Sequence, residues 1–293
     1  MDATHRWLAP DGASIFYRHW RPAKPRGAIV LLHGVASNST RWWEFVADTA
    51  LREEWSLIRI DRRGQGESVW RKPAGMREWC GDIAGILASE GFERGIVGGH
   101  CLGANIALAF GAFHPARAQG LLLVEPLPRS SLIGVMHRTA RLRGLLHVLS
   151  GTSRVFNALG IYRRHLPRLD LEELDGRTRS AMAGGTPQGG ALDLYAAPLL
   201  DLKTLPSGSY FRDLLAVTGE LPPFESIEAP ALAMLSRHST FTDPAATRAA
   251  LAKLPRCDVV ELEAKHWIPM ECPREMREAI ETWIASKVAG SLY

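Results

Sequence analysis

The stretch Gly95–Phe110, GIVGGHCLGANIALAF, determines the fold class of this chain. A short apolar run ends at Gly99-His100-Cys101-Leu102-Gly103, and a mostly apolar segment with helical character follows. Gly99 and Gly103 flank Cys101 and allow a sharp turn without Cβ clashes. The pattern predicts a buried strand, a tight turn that carries Cys101, and a helix that starts directly after the cysteine.

The same alternation extends on both sides of this stretch. An early strand is predicted at ASIFYRHWRP, and buried-strand patterns occur at GAIVLLHG, WSLIRI and GLLLVEP and again near the C-terminus at PALAMLSR and CDVVELEA. Segments with helical spacing of apolar residues separate most of these runs. Strands that alternate with helices predict an α/β fold, with a mostly parallel central sheet and helices on both of its faces.

One segment interrupts the alternation. From about Leu127 to Glu225 the patterns are mostly helical, and the strand–helix alternation resumes afterwards. An all-helical block between two sheet strands is typical of an insertion placed over the strand ends. We therefore predict a core domain formed by residues 1–126 and 227–293, and a helical cap formed by residues 127–226.

Composition narrows the class of protein. Hydrophobic residues make up 46% of the chain and charged residues 23%, which is ordinary for a globular protein. No apolar run is long enough to cross a bilayer, and the N-terminal residues lack a leader pattern, so we expect a cytoplasmic protein with no integral membrane segment. The four cysteines match no metal motif and are expected to be reduced. The sequence shows no stretch in which basic residues alternate with aromatic ones, so we expect no nucleic-acid partner.

Arginine is concentrated in one part of the predicted cap. Between Pro128 and Asp170 there are eight arginines, and Asp170 is the one acidic residue. The plainer interpretation is a solvated cap surface. The alternative is that these charges attract an anionic substrate or a membrane surface.

Four motifs, in this order, carry a resemblance to a known family. They are LLHG (31–34), DRRGQGES (61–68), GHCLGA (99–104) and AKHWIPMECP (264–273). Together they resemble the α/β-hydrolase superfamily, over nearly the whole chain outside the predicted cap. A cysteine at the turn is similar to that of dienelactone hydrolases and polyhydroxyalkanoate synthases. The former generally lack such a cap and the latter are generally longer, so neither is taken as the near relative.

The resemblance implies site residues. Cys101 takes the place of the nucleophile, on a turn whose helix N-terminus favours a thiolate and presents N–H groups to an oxyanion. His266 takes the place of the base, because it follows the last strand and precedes a helix. The backbone N–H groups of Val35 and Leu102 are expected to form the oxyanion hole. The remaining cysteines are expected to be inert structural thiols.

The third member of the triad is not evident from the motifs. Where the family usually has Asp after the strand PALAMLSR, this chain has Ser239. Asp243 lies four residues further along and would reach the site only if its loop folded back. We predict Glu125 instead, because it ends the strand GLLLVEP. The separation of 24 residues between Cys101 and Glu125 suffices for one helix and one strand, which places this strand next to the turn. The alternative to Glu125 is Asp243.

Further residues are assigned to the surroundings of the site. Trp42 and Trp43 are predicted to line an apolar pocket for an acyl group, and packing as plain core residues is the alternative. His100, beside Cys101, is placed in the pocket rather than in the chemistry. His33 is expected to hold the oxyanion turn.

These residues predict a hydrolase that cleaves an acyl ester, thioester or lactone through a covalent acyl-cysteine, with no metal and no organic cofactor. The expected substrate is a small apolar acyl compound, and an anionic acyl compound is the alternative. Three alternatives stay open: an acyltransferase or cyclase with the same intermediate, a Ser-to-Cys variant of a serine esterase, and a ligand-binding pseudoenzyme. The sequence does not determine the oligomeric state.

Overall fold

A computed structural model describes residues 2–183, 195 and 198–288. One eight-stranded sheet runs through these residues in the order β1-β2-β4-β3-β5-β6-β7-β8. The strands are β1 (Asp2–Leu8), β2 (Ser14–Trp20), β3 (Gly27–Leu32), β4 (Trp55–Ile60), β5 (Gly95–His100), β6 (Ala118–Val124), β7 (Ala231–Ser236) and β8 (Cys257–Leu262). The pairs β1–β2 and β2–β4 are antiparallel and the other five pairs are parallel. This sheet confirms the predicted fold class.

Helices lie around the sheet. They are α1 (Trp43–Asp48), α2 (Met76–Ser89), α3 (Leu102–Phe113), α4 (Gly134–Arg141), α5 (Arg143–Ala158), α6 (Leu171–Ala183), α7 (Pro198–Thr204), α8 (Ser207–Val217), α9 (Pro244–Leu251), α10 (Ile268–Glu271) and α11 (Pro273–Trp283). A π-helical turn, Ile284–Val288, follows the last of them. None of the helices in the described part of the chain combines the length and the apolar character needed to cross a membrane.

The apolar runs form the centre of the sheet. Every residue of β3, β4, β5 and β7 is buried, because helices cover both faces and two apolar clusters fill the space between them. The strands β5, β6, β7 and β8 are neighbours and run parallel to one another. Their carboxyl ends therefore lie at the same edge of the sheet. Cys101, Glu125 and His266 all follow strands of this group, so the topology places them at one edge.

In the described residues between β6 and β7 there are five α-helices, α4 to α8. No sheet strand is found in the described residues of this segment, which agrees with its helical patterns. Its division from the rest as a separate cap, residues 127–226 against 1–126 and 227–293, stays a prediction. Residues 1, 184–194, 196, 197 and 289–293 of those ranges lie outside the described residues.

Among the elements that the sequence patterns missed are the strand β1 and the helix α1. β1 pairs with β2 at the edge of the sheet, and most of its residues are exposed, so no buried alternation signals it. α1 is only six residues long, too short to display a helical period. Both lie outside the central parallel strands, where the apolar pattern is strongest.

Candidate active site

Cys101 sits on the sharp turn between β5 and α3. Its backbone has φ 58° and ψ −120°, a region that costs a non-glycine residue about 1–3 kcal/mol. A Cβ atom on Gly99 would lie 2.3 Å from the carbonyl carbon of Gly103, and one on Gly103 would lie 2.5 Å from the oxygen of Leu32. The two glycines therefore let α3 approach the strands closely, and this approach holds the cysteine at the start of the helix.

His266 lies in the loop between β8 and α10, and its ring is buried. The Cys101 side chain interacts with the ring and raises its pKa, and Nδ1 of the ring lies 3.1 Å from Oε2 of Glu125. Phe241 packs on the ring at a centroid distance of 4.3 Å, and the ring of His100 lies 4.9 Å away. The histidine is thus held between a thiol and a carboxylate, with little freedom to rotate.

Glu125 follows β6 and is buried. Its φ of 51° is unusual for a residue other than glycine, and its N–H donates to the carbonyl of Met234 at 2.9 Å. Its carboxylate accepts the N–H of Ser236, the hydroxyl of Ser239 at 3.0 Å, and a hydrogen bond from His266. The chain turn at Glu125 therefore directs a carboxylate, itself hydrogen-bonded on both oxygens, at the histidine.

The structure places Asp243 elsewhere. Asp243 is exposed and caps the N-terminus of α9, where its Oδ1 accepts the N–H of Ala246 at 2.7 Å. Ser239, which occupies the position where the sequence resemblance leads one to expect Asp, hydrogen-bonds to Glu125 instead. Of the two predicted acids, the structure brings Glu125 to His266 and leaves Asp243 at a helix end.

The pKa of His266 reflects its two partners. Burial by itself lowers the pKa, but the hydrogen bond and charge of Cys101, and to a smaller extent those of Glu125, raise it to about 9. The ring therefore carries a second proton at neutral pH. The neighbouring His100 behaves oppositely: burial and the charge of His266 hold its pKa well below the usual range, so it is neutral.

The turn after β3 packs against Cys101. A Cβ atom on Gly34 would lie 3.1 Å from Cβ of Cys101, and the next residue is Val35. His33 is buried and neutral, because burial and the charge of Arg62 lower its pKa. Its Nε2 accepts the N–H of Arg62 at 3.1 Å, so its Nδ1 donates to the Gly34 carbonyl at 2.9 Å. His33 thus holds this turn, as expected.

The two predicted oxyanion residues both adjoin the cysteine. Leu102 is the first residue of α3, and the N–H of a first helical residue has no acceptor within its own helix. Val35 follows Gly34, which touches Cys101. Ala36, with φ 48°, continues this turn in the left-handed region. Ala36, Cys101 and Glu125 are the non-glycine residues of the described chain with positive φ, so backbone strain is concentrated at this site.

A cavity of about 430 Å³ opens onto Cys101 and His266. Helices α4, α6, α7 and α8 supply more than half of its lining residues. The wall is largely apolar; examples are Val135, Met136, Leu171, Leu202, Leu214 and Val217. Asp201 and Tyr210, which are hydrogen-bonded to each other, are among its polar members. Burial raises the pKa of Asp201 to about 7. The reacting groups therefore face an apolar chamber of a size suited to a small ligand.

The prediction for the two tryptophans is corrected by this cavity. Trp42 is 1% exposed and packs in the apolar cluster that includes Ile29 and Leu122, with its Nε1 donating to the Leu32 carbonyl. Trp43 donates to Asp175 at 3.0 Å. Neither is among the described residues that line the cavity, whereas His100 is. Trp42 directly precedes α1 and Trp43 is its first residue, so the two rings point in different directions, one into the core and the other toward α6.

Sequence patterns missed several residues that hold the site. Arg62 and Asp213, both 1% exposed, form an ion pair at 2.9 Å that joins the loop after β4 to α8, and Arg62 also donates to the Gly34 carbonyl. Arg41 and Asp175 form a second buried pair at 3.0 Å that reaches α6. Glu271 accepts the N–H groups of three consecutive residues, Lys265 to Trp267. Each pairing spans loops or distant elements, so no local signal indicates it.

One group in the described part of the chain has the spacing of metal ligands. His5, His19 and Glu90 bring ligand atoms within 4.8 Å of one another. They lie on β1, β2 and the C-terminus of α2, whereas Cys101 follows β5. Arg21 lies 3.1 Å from Glu90 and opposes a cation there. This group is separate from the site of Cys101.

Residues 29–279 match the model of the Alpha/beta hydrolase family. The chain belongs to this family. The matched range contains all four sequence motifs and the residues around Cys101, Glu125 and His266. The mostly parallel central sheet agrees with the membership of this α/β hydrolase in the family.

Similar curated proteins cover part of the chain. Epoxide hydrolase B of Mycobacterium tuberculosis is 31% identical over 140 residues, which are 46% of this chain and 39% of that protein. A monoacylglycerol lipase of Mycolicibacterium smegmatis is 31% identical over 130 residues, which are 42% of this chain and 46% of that protein. The chain thus spans less than half the length of these relatives.

Similar solved structures cover almost all of the α/β hydrolase chain. The structure of E-2-(acetamidomethylene)succinate hydrolase has a TM-score of 0.67 at 17% identity, and covers 98% of this chain and 100% of its own. The enol-lactonase of Burkholderia xenovorans LB400 has a TM-score of 0.67 at 18% identity, with 96% and 100% covered. At these identities the likeness concerns the fold alone.

Proposed function

We propose that this α/β hydrolase cleaves an acyl ester, thioester or lactone through a covalent acyl-cysteine. The observation that carries the proposal is the position of His266, which is paired with Glu125 and lines the same apolar cavity as Cys101. A nucleophile, a base and an orienting acid in this order are what acyl transfer through a covalent intermediate requires. One similar curated protein, a monoacylglycerol lipase, bears a name that denotes cleavage of an ester bond.

We propose a role for each group. The attacking group is Cys101, acting as a thiolate at a helix N-terminus, and His266, whose pKa is raised to about 9, holds the proton that the leaving group will receive. The thiolate sulfur forms a bond to the carbonyl carbon, and the N–H groups of Val35 and Leu102 receive the oxyanion. When the oxyanion collapses, the bond to the leaving group breaks and His266 Nε2 gives that group its proton. The enzyme is then an acyl-thioester with a neutral histidine.

Hydrolysis of this intermediate uses the same groups in reverse. His266 takes a proton from water, the hydroxide attacks the thioester carbonyl, and the C–S bond breaks to release the acid and restore the thiolate–imidazolium pair. Throughout, Glu125 accepts the Nδ1 proton of His266, which holds the ring in the productive orientation. The pairing of Glu125 with His266 supports this proposal over a ligand-binding pseudoenzyme, which would need no orienting acid.

Intact-mass measurement during turnover of a panel of esters, thioesters and lactones tests the proposal. We expect a substrate-dependent increase equal to one acyl group in the native chain, and neither this adduct nor turnover in Cys101→Ala. Cys257→Ala is the matched control, because Cys257 is a half-buried thiol on β8 whose pKa burial raises to about 11.

Two results would change the assignment. Near-native turnover in Cys101→Ala overturns the acyl-cysteine mechanism. Diversion of product to an added thiol or amine, with little acid formed, assigns the same intermediate to an acyltransferase instead of a hydrolase.

A further inference from the structure

Exposed apolar side chains are concentrated in one short segment of this chain. Of the twelve large apolar residues that are exposed in the described part of the chain, ten lie between Ile133 and Tyr162. The other two are Leu8 and Val69. Scattered apolar residues on a surface are ordinary, but a concentration of this kind marks an interaction surface.

Helix α5 presents its apolar side outward. Leu145, Val148, Val155 and Leu159, at its outer side and C-terminal end, are each between 54% and 67% exposed, and their spacings of three, seven and four residues place them on one face. We call this set the outer stripe.

The opposite face of α5 is packed and partly polar. Leu146 and Ser150 are buried, and Ser153 and Asn157 lie 3.3 Å and 3.7 Å from where a Cβ atom on Gly208 of α8 would be. A surface helix of a water-exposed domain normally buries its apolar face and exposes its polar one. In α5 the arrangement is reversed, so the outer stripe is adapted to an apolar environment.

Positive charge surrounds the outer stripe. Arg138, Arg141, Arg154 and Arg164 are exposed, as are His137 and His147. From Pro128 to Arg168 the chain contains no acidic residue. A protein partner with an apolar face would not by itself require this excess. A surface that carries both apolar and basic side chains fits the boundary of a lipid layer. The apolar side chains would contact the acyl chains and the basic ones the anionic headgroups.

The cavity adjoins the same surface. Val135 of α4 is 43% exposed and also lines the cavity in front of Cys101, together with Met136 and Thr139 of the same helix. A compound leaving a lipid layer at this face would therefore meet the wall of the cavity directly.

We propose that the outer face of α4 and α5 docks on an anionic lipid surface, with the outer stripe entering the acyl boundary and the arginines contacting headgroup phosphates. Docking of this kind lies in the plane of the membrane and needs no spanning helix. The proposal stands on surface residues and does not depend on the chemistry proposed for Cys101.

Vesicle co-sedimentation of the full chain tests this proposal. The probes are vesicles of phosphatidylcholine alone and of phosphatidylcholine mixed with phosphatidylglycerol. We expect binding to the mixed vesicles that weakens as salt is added, and little binding to phosphatidylcholine alone. Replacing three members of the outer stripe, Leu145→Ser, Val148→Ser and Leu159→Ser together, should lower the partition coefficient by about tenfold or more.

The chain offers a matched control. Leu8→Ser with Val69→Ser removes exposed apolar side chains of similar size outside the segment and should leave binding unchanged. Circular dichroism of each variant verifies that it is folded. Absence of binding by the native chain, or equal binding by the triple variant, overturns the proposal. A dimer in analytical ultracentrifugation that the triple variant abolishes, without vesicle binding, makes the face a contact between two copies and also overturns it.

Discussion

The sheet edge that carries Cys101 and the helical segment between β6 and β7 are built in different ways. At the sheet edge, apolar strands set the backbone, and Cys101, Glu125 and His266 each follow the end of one of them. In the helical segment, much of the apolar surface faces outward, and two buried ion pairs tie it to the core. Local pattern therefore predicts the first region, whereas the attachment of the second also depends on charge pairs between residues that are distant in the chain.

The role of the buried ion pairs in holding the helical segment is tested most directly by removing one of the buried charges. Asp213→Asn leaves Arg62 without its charged partner inside the protein, which should lower the free energy of unfolding by about 3–5 kcal/mol. Denaturant unfolding measures the change. The exposed pair of Arg177 and Glu173 is the control, and Glu173→Gln should cost about 0.5 kcal/mol or less.

A double variant separates the lost charge from lost packing. Arg62→Met with Asp213→Leu leaves no charge buried without a partner and should recover much of the stability. If Asp213→Asn costs no more than Glu173→Gln, the helical segment is held by its apolar contacts instead, and the contrast between the two regions disappears.

The acid of the site gives the next largest effect. Glu125→Gln should reduce turnover by about a hundredfold or more with folding intact, because the amide no longer stabilises the protonated ring of His266. Asp243→Asn is the matched control at the alternative acid. It removes a carboxylate only from the N-terminus of α9, so it should leave turnover nearly unchanged and affect stability by about 1 kcal/mol at most.

Ser239→Ala sharpens this test. It removes one hydrogen bond to the Glu125 carboxylate and should reduce turnover by about tenfold, less than Glu125→Gln. A large loss in Asp243→Asn with none in Glu125→Gln would assign the acid to Asp243 and show that its loop folds back during turnover.

The smallest effect is on the titration of His266. Its pKa is raised from the ordinary value of 6.5 to about 9, so the ring favours the folded state below pH 6.5, and this contribution is lost as the pH rises through about 9. NMR titration of the ring should give a midpoint near 9. Cys101→Ala should lower this midpoint more than Glu125→Gln does, because the thiol is the stronger of the two raising influences.

The opposite order of the two midpoints would mean that Glu125 rather than Cys101 sets the charge of the ring. A midpoint at the ordinary histidine value in the native chain would mean that the thiol and the imidazole do not form an ion pair, and a neutral histidine would then have to take the proton from the thiol before attack.

The sequence by itself determined the central strands, the helices α2 and α3 and the positions of Cys101 and His266. These depend on apolar periodicity, on the glycines around the turn and on motifs of a few residues, all of which are local. It also singled out Glu125, since a strand end next to the turn is a topological position that spacing reveals. The edge strand β1 and the short helix α1 were not predicted, because neither shows a periodic pattern of buried apolar residues.

Only the tertiary structure decided which acid lies at the histidine, where the tryptophans pack and which side of α5 faces out. Glu125 reaches His266 because its own backbone adopts a positive φ and because Ser236 and Ser239, more than a hundred residues away, hold its carboxylate. Trp42 lies in the core, where it packs in the apolar cluster that includes Ile29 and Leu122 and donates to the Leu32 carbonyl. These outcomes depend on contacts between residues that are distant in the chain, and apolar periodicity carries no information about such contacts.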